Sequence, residues 1–197
     1  MRRTGLTLLA PCLVLPLAAV APGKETERPF EAKVRAHALA FRDELSSRIE
    51  ALLRSGKLSV PQLFDTFYIP IPDTYPQKFH TQYDRIFDET LQRVLDGFLA
   101  REPRFVYVIL ADVNGYVPTH NTRFAAPLTG SRDYDLKHNQ AKRLFNDRPG
   151  LAASRNQGDP LLQECLHEPE GTIYDLSVPV FVRGKHWGCL RIGFTQH

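Results

Sequence analysis

His120 and Asn121 close the stretch DVNGYVPTHN, residues 112–121. Together these side chains offer hydrogen-bond donors and acceptors, enough to hold a small polar ligand or to lock a neighbouring loop. Tyr107 precedes the stretch in the run RFVYVILAD, and Tyr116 lies inside it. A second polar segment, SRDYDLKHNQAKRLFNDRPGL, carries Arg143 and Arg148. Arginine presents a planar fork that grips a carboxylate at two points. Asp147, in the same segment, could instead satisfy one of these arginines, or Arg155, internally. Asp175, in TIYDLSVPV, could bind a ligand ammonium or orient an arginine. Trp187 follows a glycine turn and reads either as a core plug or as a ligand platform. The candidate ligand-binding residues are therefore Tyr107, Tyr116, His120, Asn121, Arg143, Arg148, Asp175 and Trp187.

These residue types do not form a catalytic pattern. A covalent mechanism needs Ser or Cys beside His and an acid, and neither THN nor HEPE supplies that. Glycine-rich phosphate loops and metal-ligand spacings are absent from the sequence. The chain has seven histidines, four of them, His120, His138, His167 and His186, between residues 105 and 194, but no Cys-x-x-Cys-His. Covalent c-type haem is thereby excluded, while a non-covalent haem or redox sensor stays open as an alternative. The expected cofactor is none.

The elements that would position these groups follow from periodicity. Val34, Ala38, Phe41, Leu45, Ile49 and Leu52 recur at steps of four and three, predicting a helix over 30–56 that stops at Ser55-Gly56. Its stripe could pack on a neighbour or form a homodimer seam. Ser59-Val60-Pro61 opens a short helix. Pro70, Pro72 and Pro76 impose an extended path. Residues 83–101 predict a second helix, with Phe87, Leu91, Val94 and Phe98 on one face, paired with the first. Then come a strand, an Asn114-Gly115 turn of type I′, and a second strand that Pro118 confines to an edge or an end. After the polar insertion, three strands follow: one in DPLLQECLHEP, one in GTIYDLSVPVFVRG and one in KHWGCLRIGFTQH. Alternation puts Tyr174, Leu176 and Val178 on one face and Asp175, Ser177 and Pro179 on the other. Cys165 and Cys189 fall on alternate strands, nearly 10 Å apart by strand spacing, which predicts no bond between them.

The N-terminus reads MRRTGLTLLAPCLVLPLAAVAPGKE, with two arginines, an apolar run and small residues. That order marks residues 1–23 as a secretory signal, or an uncleaved anchor, and makes the protein periplasmic. The formal net charge is +3, and removing Arg2 and Arg3 leaves +1. Nucleic acid is not an expected partner.

Two helices, a strand pair, a helical insertion and three antiparallel strands give an α+β fold of PAS type. NGYVPTHN, KRLFNDRPGLAASRN and DLSVPVFVRGKHWG together carry a resemblance over residues 105–194 to the extracytoplasmic sensor region of bacterial methyl-accepting chemotaxis proteins. The resemblance implies a PAS/Cache-like five-stranded antiparallel sheet at 103–197, preceded by a helical region at 24–102. It implies a non-catalytic module that binds a small organic ligand and signals by helix or dimer repacking, with a membrane signalling partner. Chemotaxis receptors continue into a second membrane helix and signalling domains, whereas this sequence stops just after the last strand. A module that has lost its ligand and docks another protein is the remaining alternative.

Overall fold

The computed structural model describes residues 28–167 and 171–196. The signal or anchor segment therefore lies outside the described residues. Among those residues the fold is α+β, with six helices and two antiparallel sheets of four strands each.

Helix α1 (Pro29–Arg54) has proline in its first turn, where no intrahelical N–H is needed. It ends before Gly56, whose φ of +73° a residue with a Cβ rarely adopts. Its buried residues are the six of the predicted stripe. They face the main sheet of the same chain, so the stripe is consumed inside the fold and cannot also serve as a dimer seam. Helix α2 (Val60–Leu63) starts at a capping box between Ser59 and Gln62. The small sheet begins with β1 (Ile69–Ile71) and β2 (Lys78–His80).

The predicted second helix is broken in two, α3 (Asp84–Thr90) and α4 (Gln92–Leu99). Thr90 Oγ1 donates to the Ile86 carbonyl at 2.5 Å, a back-bond that competes with the helical ladder just before the break. Phe98 of α4 stacks on Phe41 of α1 with ring centroids 4.0 Å apart. Otherwise α1 lies against the sheet rather than alongside a partner helix.

The main sheet contains β3 (Phe105–Asp112), β6 (Leu161–His167), β7 (Gly171–Val182) and β8 (Lys185–Phe194), in the order β3-β8-β7-β6. The small sheet adds β4 (Tyr116–Val117) and β5 (Arg143–Leu144), in the order β1-β2-β5-β4. This corrects the expected single five-stranded sheet. The segment after the turn leaves β3 and pairs with β5 instead. Two features account for the departure. Pro118 has no N–H to donate to a ladder. Further along, Asn121 Oδ1 accepts the Val108 N–H of β3 at 2.8 Å, so a side chain occupies a ladder position.

The Asn114-Gly115 turn is also not type I′. Among the described non-glycine residues, positive φ occurs at Asp73, Lys142 and Arg183, so only Gly115 of this pair adopts it. Asp112 Oδ1 accepts the N–H groups of Asn114 and Tyr116, and this side-chain turn replaces the mirror-image one. Arg183 and Gly184, with φ of 51° and 74°, make the type I′ pattern between β7 and β8.

Helices α1, α3 and α4 cover one face of the main sheet and share a single core with it. Helix α5 (Arg132–His138) lies in the insertion, and α6 (Arg148–Arg155) packs on the opposite face against β7 and β8. Cys189 is a free, buried thiol. Strand β7 separates it from Cys165, and the two are not bonded to each other.

Candidate functional site

A polar cluster is built on the sheet face opposite α1. Strand β3 is irregular between Phe105 and Tyr107. Phe105, Val108 and Leu110 join the helix-side core, whereas Tyr107, Ile109 and Ala111 turn the other way. On β7, Leu176, Val178 and Val180 point at the helices, which leaves Asp175 on the Tyr107 side, as the alternation requires.

Gly193 lies on β8 between these two, paired across the sheet with Tyr107 on one side and Asp175 on the other. A Cβ at Gly193 would meet the Tyr107 ring at 2.3 Å. The missing side chain opens the path by which the phenol crosses β8 and donates to Asp175 Oδ2 at 2.6 Å. Arg191 donates to the same oxygen through Nε at 2.9 Å and also through Nη2. Burial disfavours the Arg191 charge, but the Asp175 carboxylate outweighs it and raises the guanidinium pKa. Burial and the same carboxylate push the Tyr107 phenol well above its ordinary value, so it stays a donor.

All three hydrogen bonds from Tyr107 and Arg191 thus converge on one oxygen, and Asp175 Oδ1 is buried with no hydrogen-bond partner. The His120 ring lies 6.2 Å from that of Tyr107 and 5.1 Å from that of Phe124, between centroids. His120 is 4% exposed, and its Nδ1 has no partner. Burial lowers its pKa to about 3, with Arg123, Lys78, Arg143 and Arg191 adding in the same direction. At neutral pH the ring is therefore an uncharged imidazole inside a positive potential. Asn121 spends its oxygen on Val108, while its buried Nδ2 has no partner. Each such unpaired buried group costs roughly 1–3 kcal/mol of desolvation.

The remaining candidates lie elsewhere. Arg143, on β5, is half-buried, donates to Gln140 Oε1 and sits 4.8 Å from the Phe145 ring centre. Burial pushes it down to about 10, and it contributes to the potential at His120 without a bond to it. Arg148, the first residue of α6, is exposed and stands apart from the cluster. Asp147 accepts the Gly150 N–H at the cap of that helix instead of satisfying an arginine. Tyr116 is in the helix-side core and donates to the Phe79 carbonyl at 2.8 Å. Trp187 is in the same core, donating to the Leu63 carbonyl at 2.9 Å and touching Tyr83 and Phe87. It is a core plug.

The cluster therefore unites Tyr107, His120 and Asp175, with Asn121 next to it on the edge of β3. It adds Arg191 and Gly193, which the sequence reading passed over. Their signal was CLRIGF, in which an arginine and a glycine alternate with apolar residues in a buried strand. Lys78 was also missed. It is buried, donates to the Asn139 and Ala141 carbonyls and to Asn139 Oδ1, and is pushed down to about 7 by burial and then by Arg143.

No family model and no curated relative matches the chain. A solved structure, an extracellular ligand binding receptor from Desulfohalobium retbaense DSM5692, is similar at 15% identity with a TM-score of 0.38. That similarity covers 84% of this chain and 25% of the receptor, so the chain spans about a quarter of the receptor's length. No described helix is long and apolar enough to cross a membrane.

Proposed function

We propose that this chain is an exported, non-catalytic sensing domain that binds a small organic molecule at the Tyr107–His120–Asn121–Asp175 cluster. One observation carries the reading. Three polar atoms, Asp175 Oδ1, His120 Nδ1 and Asn121 Nδ2, are buried and unpartnered, and the first two belong to residues that flank Tyr107. A bound polar molecule supplies the missing partners, which is the usual resolution of such groups.

Signalling follows from the two faces of one sheet. Strands β7 and β8 carry Asp175 and Arg191 on the site side and press against α1 on the other. A ligand with different affinity for two packings of these strands would shift α1, and with it any partner that α1 meets. The resemblance to chemoreceptor sensor regions makes a membrane signalling protein the natural partner and the periplasm the natural compartment.

The test is thermal unfolding of the full chain with a broad panel of organic acids, amino acids and amines. A bound ligand stabilises by RT ln(1 + [L]/Kd), about 2.7 kcal/mol at a hundred times Kd. The expected result is a saturable rise in Tm that His120→Ala abolishes. No rise across the panel would overturn the sensing reading.

A further inference from the structure

We propose that the groove between α1 and α4 docks an acidic helix of a partner protein. The groove lies on the helical side of the molecule, away from the Asp175 cluster, and the proposal does not depend on ligand binding there.

Helices α1 and α4 meet where Phe41 stacks on Phe98. Beside that contact a surface groove of about 290 Å³ opens between them. Glu44 and Arg48 of α1 line one side, and Arg93, Gly97 and Arg101, spaced every four residues, line the other. Val94 and Phe98 supply an apolar floor. Gly97 is exposed, and a Cβ there would meet nothing within 4 Å. Its φ is not positive, so neither a turn nor a close neighbour in this chain calls for glycine. Glycine inside a helix costs stability relative to alanine, but it lets another backbone come close. A helix laid in a groove approaches to a distance set by the side chains at the crossing.

Charge decides the chemistry of the partner. Three arginines line the groove against one glutamate, and Glu44 is already bound to Arg48 at 2.7 Å. Among the described residues Arg93 has no ion pair, and Arg101 lies over the Phe41 and Phe98 rings without a carboxylate partner. The carboxylates nearest in sequence are spent elsewhere, Asp96 on Thr122 and Glu102 on Lys33 and Arg104. Arginine grips a carboxylate with a two-point fork. Arg93 and Arg101 stand about 12 Å apart along the helix axis, a span matched by carboxylates seven or eight residues apart on a second helix. A second copy in a two-fold pair would set arginine against arginine, which disfavours self-association through this groove.

Fluorescence anisotropy on the full chain tests this with a short labelled alanine-rich helix that carries glutamate at i, i+4 and i+7 and alanine at i+3. Two controls share its frame, one with the same glutamates spread around the helix and one with lysine in their place. Saturable binding of the striped glutamate helix is expected, at least tenfold tighter than either control and weaker as salt is raised. Gly97→Leu fills the groove where the structure leaves open space, so Tm should hold while binding weakens at least tenfold. Arg93→Glu, at an exposed position, offers a second variant and should do the same. No binding of the striped helix, or equal binding of the spread control, would overturn the proposal. So would binding that neither variant changes, because the helix would then sit elsewhere. Tighter binding of duplex DNA or of an anionic vesicle, lost in Gly97→Leu, would give the groove to another class of partner and overturn it too. A mass that rises with concentration and returns to the monomer in Gly97→Leu would give it to a second copy, with the same consequence. None of these outcomes bears on the sensing reading, which the ligand panel and His120→Ala test separately.

Discussion

Gly193 shows how a residue without a side chain can define a site. Its two cross-strand neighbours are Tyr107 and Asp175, and they meet over the space a Cβ would fill. Gly193→Ala should therefore destabilise the fold by about 1–3 kcal/mol, the usual cost of forcing bulk into a packed interior. Urea unfolding measures it. Tyr107→Ala removes the obstructing ring, so adding Gly193→Ala on that background should cost much less. Equal costs on both backgrounds would show that the ring and the glycine are not coupled. His120 gives a second prediction at this scale. Its folded pKa lies at about 3, below the ordinary value of about 6.5, so the unfolded chain binds more protons between those values. Its contribution is fully present above about pH 6.5 and is lost as pH falls toward 3. By pH 4 the loss should be on the order of 3 kcal/mol. His120→Gln should flatten the stability profile between pH 6.5 and 4 by that amount relative to the parent. Parallel profiles would show that His120 is not held neutral by the fold.

At the scale of elements, what the sequence disclosed depended on whether a pattern was local. The six-residue stripe of α1 was legible because helical spacing is written in consecutive turns, and the same six residues are buried. Strands β6, β7 and β8 were legible for the same reason, as alternating runs between glycine turns. Strand pairing was not. The stretch at Tyr116-Val117 looks like the return strand of a hairpin, yet it pairs with Leu144 and Arg143 across the insertion. Nothing within ten residues of it announces that partner. The site was half legible on the same terms. Asp175 and Tyr107 follow from alternation and a bulge, but their meeting over Gly193 belongs to three strands at once. One prediction concerns α1. Phe41 is buried, stacks on Phe98 and lies edge-on to Phe105. Phe41→Ala should cost about 3–5 kcal/mol in urea unfolding. Arg48→Ala, on the exposed face where Arg48 pairs with Glu44, should stay within about 0.5 kcal/mol. A comparable cost for both would mean that the outer face of α1 is also packed.

At the scale of the molecule, the question is whether the helical region and the sheet are one folding unit. The sequence divides naturally near residue 102, where helical spacing gives way to strands. Many contacts cross that boundary, among them the β2–β5 pairing of the small sheet, and three tie the buried cores together. The α1 stripe packs on β7 and β8. Asp112, at the end of β3, accepts the hydroxyls of Tyr68 at 2.7 Å and Tyr83 at 2.9 Å. Trp187 of β8 donates to the Leu63 carbonyl of α2 and touches Phe87 of α3. Neither side keeps a closed core if the other is removed, so both should unfold in one step. The chain has a single tryptophan, and Trp187 sits on this boundary. Its fluorescence therefore reports separation of the two parts, while far-UV circular dichroism reports loss of the helices. The two denaturation curves should superimpose, with the same midpoint and slope. A tryptophan transition at lower denaturant, before the helices melt, would make residue 102 a true domain boundary. Ligand-driven movement of α1 would then be a sliding of one domain on another, and not a strain carried through a shared core.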